Sequence, residues 1–183
     1  MSPHAAALSA LGLEGAARER LASYLDLLAA WGSHVNLTGA RTPGERVRVL
    51  VEPVLPAAAL LAGRLLDIGS GNGSPGLVLA LLRPELPATL LEPRTRRWAF
   101  LREAARAGGR PDVEVLRARH DTYTGPAAAT VTLRALALPL GELVALVAPG
   151  GRLLVFGPAP LPVAPFAAEV SLPGPVHALR RQP

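Results

Sequence analysis

The sequence contains neither cysteine nor lysine. The lack of cysteine excludes disulfides, thiolate metal sites and a cysteine nucleophile, and it is typical of a protein from a reducing compartment such as the cytoplasm. All 19 basic residues are therefore arginines, and their excess over the 14 acidic residues gives a net charge of +5. This excess favours an anionic partner such as a nucleic acid, although a GC-rich genome would also favour arginine over lysine.

Long apolar runs and a basic N-terminal segment are also missing. Charged residues or prolines interrupt every candidate membrane span, and the opening "MSPHAAALSALGLEGAARER" lacks the basic start of a secretory signal peptide. We therefore expect a cytoplasmic protein that does not associate with membranes. His4, His34 and His177 are scattered without metal-ligand spacing, so no metal site is predicted.

The 183 residues, 50% of them hydrophobic, predict one compact chain that we expect to be a monomer. Its organisation is predicted as a helical N-terminal extension over residues 1–62 and a core over residues 63–183. In the extension, apolar residues at helical spacing predict a helix over residues 14–31, and a second helix is expected to begin at Pro43 or Gly44. Two further prolines predict that the next helix is kinked or broken.

From Arg64 onward, short apolar strands alternate with segments of helical pattern. Such alternation predicts a parallel sheet covered on both faces, which is a Rossmann-like α/β fold. We predict strands over residues 64–68, 88–92, 113–119, 127–134 and 150–157, helices over residues 74–83, 94–109 and 138–149, and a last antiparallel pair over residues 167–172 and 176–181.

A glycine-rich loop, "DIGSGNGSPG", follows the first predicted strand. In an open α/β sheet, ligands bind outside the carboxyl ends of the strands, and the first strand-to-helix turn is the favoured place. Gly69, Gly71 and Gly73 allow the backbone to approach a ligand closely. Glu92 ends the second predicted strand, at the spacing from the glycines where an acid can accept the hydroxyls of a ribose.

Two cofactors suit such a loop, a nicotinamide dinucleotide and S-adenosylmethionine. A dinucleotide needs backbone N–H groups for its pyrophosphate, and Pro75 removes one of them. Asp67 is better suited to a cationic ligand, such as a sulfonium with its amino group. The loop therefore favours S-adenosylmethionine, and a nicotinamide-dependent oxidoreductase remains the less favoured alternative.

Four segments carry a resemblance to a known family: "WGSHVNLTGARTPGE", "LLDIGSGNGSPGLVLALLRPE", "TLLEPRTRRWAFLREAAR" and "TLRALALPLGELVALVAPGGRLL". Through them the chain resembles, from about Leu21 to Val155, the bacterial small-subunit ribosomal RNA guanine-N7 methyltransferases, also called glucose-inhibited division protein B. The combination of the N-L-T segment with the glycine-proline loop is the most specific part of the match. The resemblance implies a class I methyltransferase that acts on 16S ribosomal RNA or the small ribosomal subunit, with S-adenosylmethionine as its cofactor.

The resemblance also implies roles for single residues. The cofactor would contact the glycine loop and its neighbours, Glu92 would hold the ribose, and Arg134 would lie at both the cofactor and the target base, as the candidate catalytic residue. Three arginines at the start of the helix after Glu92 could meet RNA phosphates. The predicted cofactor-binding residues are Asp67, Gly69, Ser70, Gly71, Ser74, Glu92, His120, Asp121 and Arg134, and the predicted RNA-binding residues are Arg94, Arg96 and Arg97.

The chain departs from the family pattern in several places. Ser74 stands where the family has a large apolar residue, and Gly157 stands where it has a lysine. The family's R-H-F-x-D-S segment is replaced by "VLVEPV" at residues 49–54. These departures motivate a second alternative, a non-catalytic paralogue that binds the cofactor or RNA without methylating it.

Overall fold

The computed structural model describes residues 2–183, which form a sheet of seven strands with most of its helices on one face. The described residues include three 3-10 helices, at Glu52–Leu60, His120–Thr122 and Val144–Leu146. The α-helices are α1 (Ala5–Ala10), α2 (Gly15–Trp31), α3 (Pro43–Leu50), α4 (Gly76–Leu82), α5 (Thr95–Ala107) and α6 (Leu140–Leu143). The strands are β1 (Leu65–Ile68), β2 (Ala88–Leu91), β3 (Glu114–Leu116), β4 (Ala128–Arg134), β5 (Val147–Phe156), β6 (Phe166–Ser171) and β7 (Val176–Arg181).

The strand order is β3-β2-β1-β4-β5-β7-β6, with β1 to β5 parallel and β7 antiparallel to both of its neighbours. The predicted parallel sheet and the predicted antiparallel pair at its end are therefore confirmed. Strand β1 pairs with β2 on one side and with β4 on the other. Because the chain order reverses at β1, a crevice opens at the carboxyl ends of β1 and β4.

The helical extension packs onto the same core as α4 and α5. Helix α2 buries Leu21, Leu25 and Leu28 in one hydrophobic cluster with side chains of those two helices. Tyr24 is fully buried within it, and its hydroxyl donates a hydrogen bond of 2.8 Å to the Asn72 carbonyl of the glycine loop. The extension thus supports the loop directly.

A capping box sets the start of α3. The Thr42 hydroxyl accepts a hydrogen bond from the Glu45 N–H, and the Glu45 carboxylate accepts one from the Thr42 N–H. This reciprocal pair satisfies two backbone donors at the helix start, where no intrahelical partner exists. Hydrogen bonds from the backbone N–H groups of Arg41 and Thr42 lower the pKa of Glu45. The loop before α3 is therefore fixed at this end.

The other face of the sheet is covered more thinly than predicted. A helix over residues 138–149 was expected, but α6 spans only Leu140–Leu143 and continues as a single 3-10 turn. The prediction is wrong over residues 147–149 because Val147 already pairs with Ala128 as the first residue of β5. None of the helices in the described part of the chain has the length and apolar character needed to span a bilayer.

Candidate functional site

A cavity of about 380 Å³ lies at the carboxyl ends of β1 and β4, where the topology places a ligand crevice. Its walls come from the glycine loop, the start of α5, the end of β4 and two segments of the helical extension. No aspartate or glutamate lines it. The lining residues are Leu37, Thr38, Val49, Leu50, Gly69, Ser70, Gly71, Asn72, Ser74, Arg94, Arg97, Arg134, Ala135 and Leu136.

The glycine loop presents backbone to this cavity. Gly69 and Gly71 both have positive φ, of 68° and 55°, which residues with a Cβ rarely adopt. A Cβ on Gly69 would also meet the Leu136 Cδ1 at 2.5 Å. The absence of a side chain at Gly69 therefore allows Leu136, from the loop after β4, to pack on the loop after β1.

Glu92 anchors the glycine loop from the end of β2. Its side chain is 3% exposed, and its two carboxylate oxygens accept hydrogen bonds from the Gly71 N–H at 2.9 Å and the Arg94 N–H at 2.8 Å. Each oxygen keeps a further lone pair. Glu92 thus fixes the loop. It is not itself among the residues that line the cavity, and its predicted contact with a ribose remains a prediction.

Arg134 and Ser74 join three walls of the cavity. The Arg134 guanidinium donates hydrogen bonds of 2.9 Å to the Ser74 Oγ and 3.0 Å to the Val49 carbonyl. The Ser74 hydroxyl in turn donates to the Leu50 carbonyl at 2.7 Å. Burial lowers the pKa of Arg134, but a guanidinium remains protonated at neutral pH. Because both acceptors of Arg134 are neutral, its positive charge is available to a ligand.

Asp67 does not reach the cavity. Its side chain is fully buried behind the loop, and its Oδ1 accepts a hydrogen bond of 2.5 Å from the Thr132 hydroxyl. Its Oδ2 has no hydrogen-bond partner in residues 2–183. The structure thus does not place the Asp67 carboxylate against a ligand in this cavity, and burial raises its pKa to about 6.

We expect Asp67→Asn to change stability in a pH-dependent way. The folded-state pKa of about 6 lies above the ordinary value of 3.8, so the folded protein holds this proton more tightly than the unfolded chain does. The stability that Asp67 contributes is therefore fully present below about pH 4 and is lost as the pH rises through about 6. Urea unfolding is measured for both proteins at about pH 4 and at about pH 8. From the lower pH to the higher, the free energy of unfolding of Asp67→Asn should rise by up to about 3 kcal/mol relative to that of the native protein. An identical difference at both values would contradict the raised pKa.

His120 and Asp121, which are predicted to bind the cofactor, do not line this cavity. They lie in the 3-10 helix after β3, where His120 Nε2 is 2.9 Å from a carboxylate oxygen of Glu142 and Asp121 pairs with Arg119. Contact to Arg119 lowers the pKa of Asp121. Both residues sit at the carboxyl side of the sheet, and their predicted contact with the cofactor remains a prediction.

Two of the three predicted RNA-binding arginines reach the cavity. Arg94 and Arg97 line it, whereas Arg96 is exposed outside it. Arg97 also donates a hydrogen bond of 3.3 Å to the Asn36 carbonyl. The start of α5 is thereby tied to the loop between α2 and α3.

Several lining residues were not predicted from the sequence. Asn72 connects two walls: its Nδ2 donates to the Leu37 carbonyl at 2.9 Å, and its Oδ1 accepts from the Ser74 N–H at 3.1 Å. Leu37 and Thr38 belong to the N-L-T segment, which marks the resemblance but carries no chemistry that would identify it as a wall. Its position in the cavity wall is visible only from its contact with the glycine loop, through the hydrogen bond from Asn72 to Leu37.

This chain is similar to known proteins over most of its length. Residues 17–155 match the family GidB, described as rRNA small subunit methyltransferase G. A ribosomal RNA small subunit methyltransferase G from Halorhodospira halophila is 40% identical over 147 residues, which cover 78% of this chain and 70% of that protein. One from Neisseria gonorrhoeae is 37% identical over 139 residues, or 72% of this chain and 66% of that protein. The chain spans about two thirds of the length of these relatives.

Solved structures share the fold. A mutant of MtNAS in complex with S-adenosylmethionine superposes with a TM-score of 0.60 at 16% identity, over 97% of this chain and 83% of that one. The antibiotic-resistance methyltransferase Kmr superposes with a TM-score of 0.51 at 22% identity, over 69% of this chain and 89% of that one. The predicted Rossmann-like fold is confirmed.

Proposed function

Because the chain belongs to the family of rRNA small subunit methyltransferase G, we propose that it methylates N7 of a guanine in 16S ribosomal RNA with S-adenosylmethionine as the methyl donor. The family is one of S-adenosylmethionine-dependent methyltransferases, as predicted. The observation that carries the proposal is the cavity in which the glycine loop, anchored by Glu92, faces the guanidinium of Arg134. A ribosomal substrate would place the protein in the cytoplasm.

The residues of the cavity fit this cofactor. Gly69, Ser70 and Gly71 offer a wall of backbone without large side chains, where the amino-acid end of the cofactor can lie. Glu92 would accept the ribose hydroxyls with its remaining lone pairs, and the Arg134 charge suits a carboxylate. When bound, S-adenosylmethionine supplies an electrophilic methyl group on a sulfonium.

Methylation of guanine N7 requires mainly that the protein position the base against the methyl group of the cofactor. Guanine N7 attacks with an in-plane lone pair, so no proton has to leave before the methyl is transferred. Near-attack geometry can then supply most of the acceleration. Arg134 is the group placed to hold the target base or its phosphate beside the cofactor, since it reaches between the glycine loop and the segment at Val49. Neither a general base nor a cysteine nucleophile is required.

The departures from the family pattern leave the cavity closed on the side of the extension. The segment that replaces R-H-F-x-D-S still reaches it, because the Val49 carbonyl accepts from Arg134. Ser74, in place of a large apolar residue, is buried and hydrogen-bonded. The relatives that the chain matches are named as methyltransferases, so a non-catalytic paralogue is not favoured. A nicotinamide-dependent oxidoreductase is not favoured either, given the family to which the chain belongs.

The test is methylation of small ribosomal subunits, or of their naked RNA, from a strain lacking this protein. With labelled S-adenosylmethionine, the native protein is expected to form N7-methylguanosine in 16S RNA. Arg134→Ala should lower kcat/KM about 10- to 100-fold, because a charged hydrogen bond contributes about 1.5–3 kcal/mol. Arg106→Ala, which removes an exposed arginine outside the cavity, should be unchanged. Absence of N7-methylguanosine from every product would remove the proposed reaction.

A further inference from the structure

A second cavity, of about 670 Å³, adjoins the first. It lies between the C-terminal end of α2 and the loop that leads into α3, and its volume is within the range of small-ligand sites. Its lining is mostly polar or backbone and includes no aspartate or glutamate. The lining residues are Leu28, Ala29, Gly32, Ser33, His34, Val35, Asn36, Thr38, Gly39, Ala40, Arg41 and Arg46.

The two cavities are neighbours at the N-L-T segment. Thr38 lines both of them. Arg97 lines the first cavity and donates to the carbonyl of Asn36, which lines the second. A chain-like ligand with one unit in the first cavity can therefore place a neighbouring unit in the second without crossing the protein.

Arginines that form no ion pair within the described residues are concentrated around the two cavities. Arg41 and Arg46 line the second cavity, and Arg94, Arg97 and Arg134 line the first. None of these five takes part in an ion pair within residues 2–183. By contrast, five arginines elsewhere pair with carboxylates, namely Arg83, Arg110, Arg119, Arg152 and Arg180.

Arg46 has a donor nitrogen without a hydrogen-bond partner among the described residues. This atom is its Nε, which is buried. Arg46 nevertheless lines the second cavity, so other atoms of its side chain border that space. An anionic group in the cavity would suit the Arg46 guanidinium, since phosphate and guanidinium match in charge and geometry.

We infer that the second cavity binds a nucleotide next to the target guanine in the RNA, with Arg41 and Arg46 on its phosphate. The inference rests on the proposed function and adds to it a subsite beside the cavity proposed for methyl transfer. Single-stranded RNA fits this arrangement, because its splayed nucleotides present phosphates and base edges separately. His34 and Asn36, both exposed at the rim, are placed to meet the base.

The first test locates the site without requiring catalysis. Guanosine 5′-monophosphate is titrated into ¹⁵N-labelled protein saturated with S-adenosylhomocysteine. Amide signals of residues 32–36 are expected to shift. The double variant Arg41→Ala/Arg46→Ala should bind the nucleotide at least about tenfold more weakly while binding S-adenosylhomocysteine normally. Arg102→Ala/Arg106→Ala, which removes two exposed charges from α5 outside both cavities, is the matched control.

The second test uses the RNA itself. With small-subunit RNA, the Arg41/Arg46 double variant should raise KM about tenfold with little change in kcat, and the slope of log affinity against log salt should fall by about 1–2. Equal nucleotide binding by the two double variants, or shifts confined to the first cavity, would overturn the inference. If the native protein methylates no RNA, the proposed function fails but the nucleotide titration still decides whether the subsite exists.

Discussion

Replacing Glu92 by alanine is expected to abolish measurable binding of S-adenosylhomocysteine. The substitution removes the acceptor for the Gly71 N–H and the Arg94 N–H, so the glycine loop loses its anchor. It also removes the only predicted ligand for the ribose. Charged hydrogen bonds contribute about 1.5–3 kcal/mol each, so losing two from the ligand alone corresponds to at least about a 100-fold loss of affinity.

The Glu92 measurement is a calorimetric titration with S-adenosylhomocysteine, with thermal unfolding recorded on the same samples. Loss of the hydrogen bonds from the Gly71 and Arg94 N–H groups in Glu92→Ala will also lower stability, so binding is measured well below the melting temperature of the variant. Glu103→Ala is the matched control, because Glu103 is exposed on α5 and lines neither cavity. Native-like affinity in a folded Glu92→Ala variant would show that the carboxylate serves the loop without contacting the cofactor.

The strands and the glycine loop could be predicted because local signals mark them. Glycines or prolines stand beside these short apolar runs and interrupt regular structure. The positions of β1, β2 and β4 can therefore be predicted from them. The glycine loop is predictable for the same reason, since positive φ at Gly69 and Gly71 needs glycine. Glu92 follows from its place at the end of a strand beside that loop. These features depend on residues close together in the chain.

The parts that the sequence does not predict depend on contacts between distant residues. Asp67 looks like a ligand group beside a glycine loop, yet alternation along a strand cannot tell whether its carboxylate faces the crevice or Thr132 on the neighbouring strand. Residues 147–149 continue a helical pattern, but pairing of Val147 with Ala128 overrides that propensity. The second cavity depends on how α2, its following loop and α3 pack, which no motif encodes.

The extension acquires a functional meaning from these contacts. Leu37, Val49 and Leu50 all lie before residue 62, yet they line the cavity at the carboxyl ends of β1 and β4. Backbone carbonyls of Leu37, Val49 and Leu50 accept hydrogen bonds from the core side chains Asn72, Arg134 and Ser74, respectively. The extension therefore forms one wall of the site, so a fragment restricted to residues 63–183 is expected to lose that wall.

Gly76→Ala is expected to destabilise the protein strongly. Gly76 begins α4 directly against β1, and a Cβ at this position would lie 2.3 Å from the Cβ and Cγ of Asp67 and 2.4 Å from its Oδ2. Asp67 cannot yield, because it is fully buried and held by Thr132. Helix α4 would have to move away from the sheet, and overpacking of this kind costs about 1–3 kcal/mol or more. We expect the melting temperature to fall by about 5–10 °C.

Gly44→Ala is the matched control for Gly76→Ala, because both glycines lie in the first turn of a helix but an added Cβ at Gly44 meets nothing within 4 Å. Alanine there should leave stability unchanged or raise it by up to about 1 kcal/mol, since it restricts the unfolded chain. Scanning calorimetry of both variants separates steric contact from a general effect of glycine replacement. Equal melting temperatures would mean that α4 shifts on β1 at no cost. A large fall for Gly76→Ala alone would show that this contact fixes the helix that follows the glycine loop against the sheet.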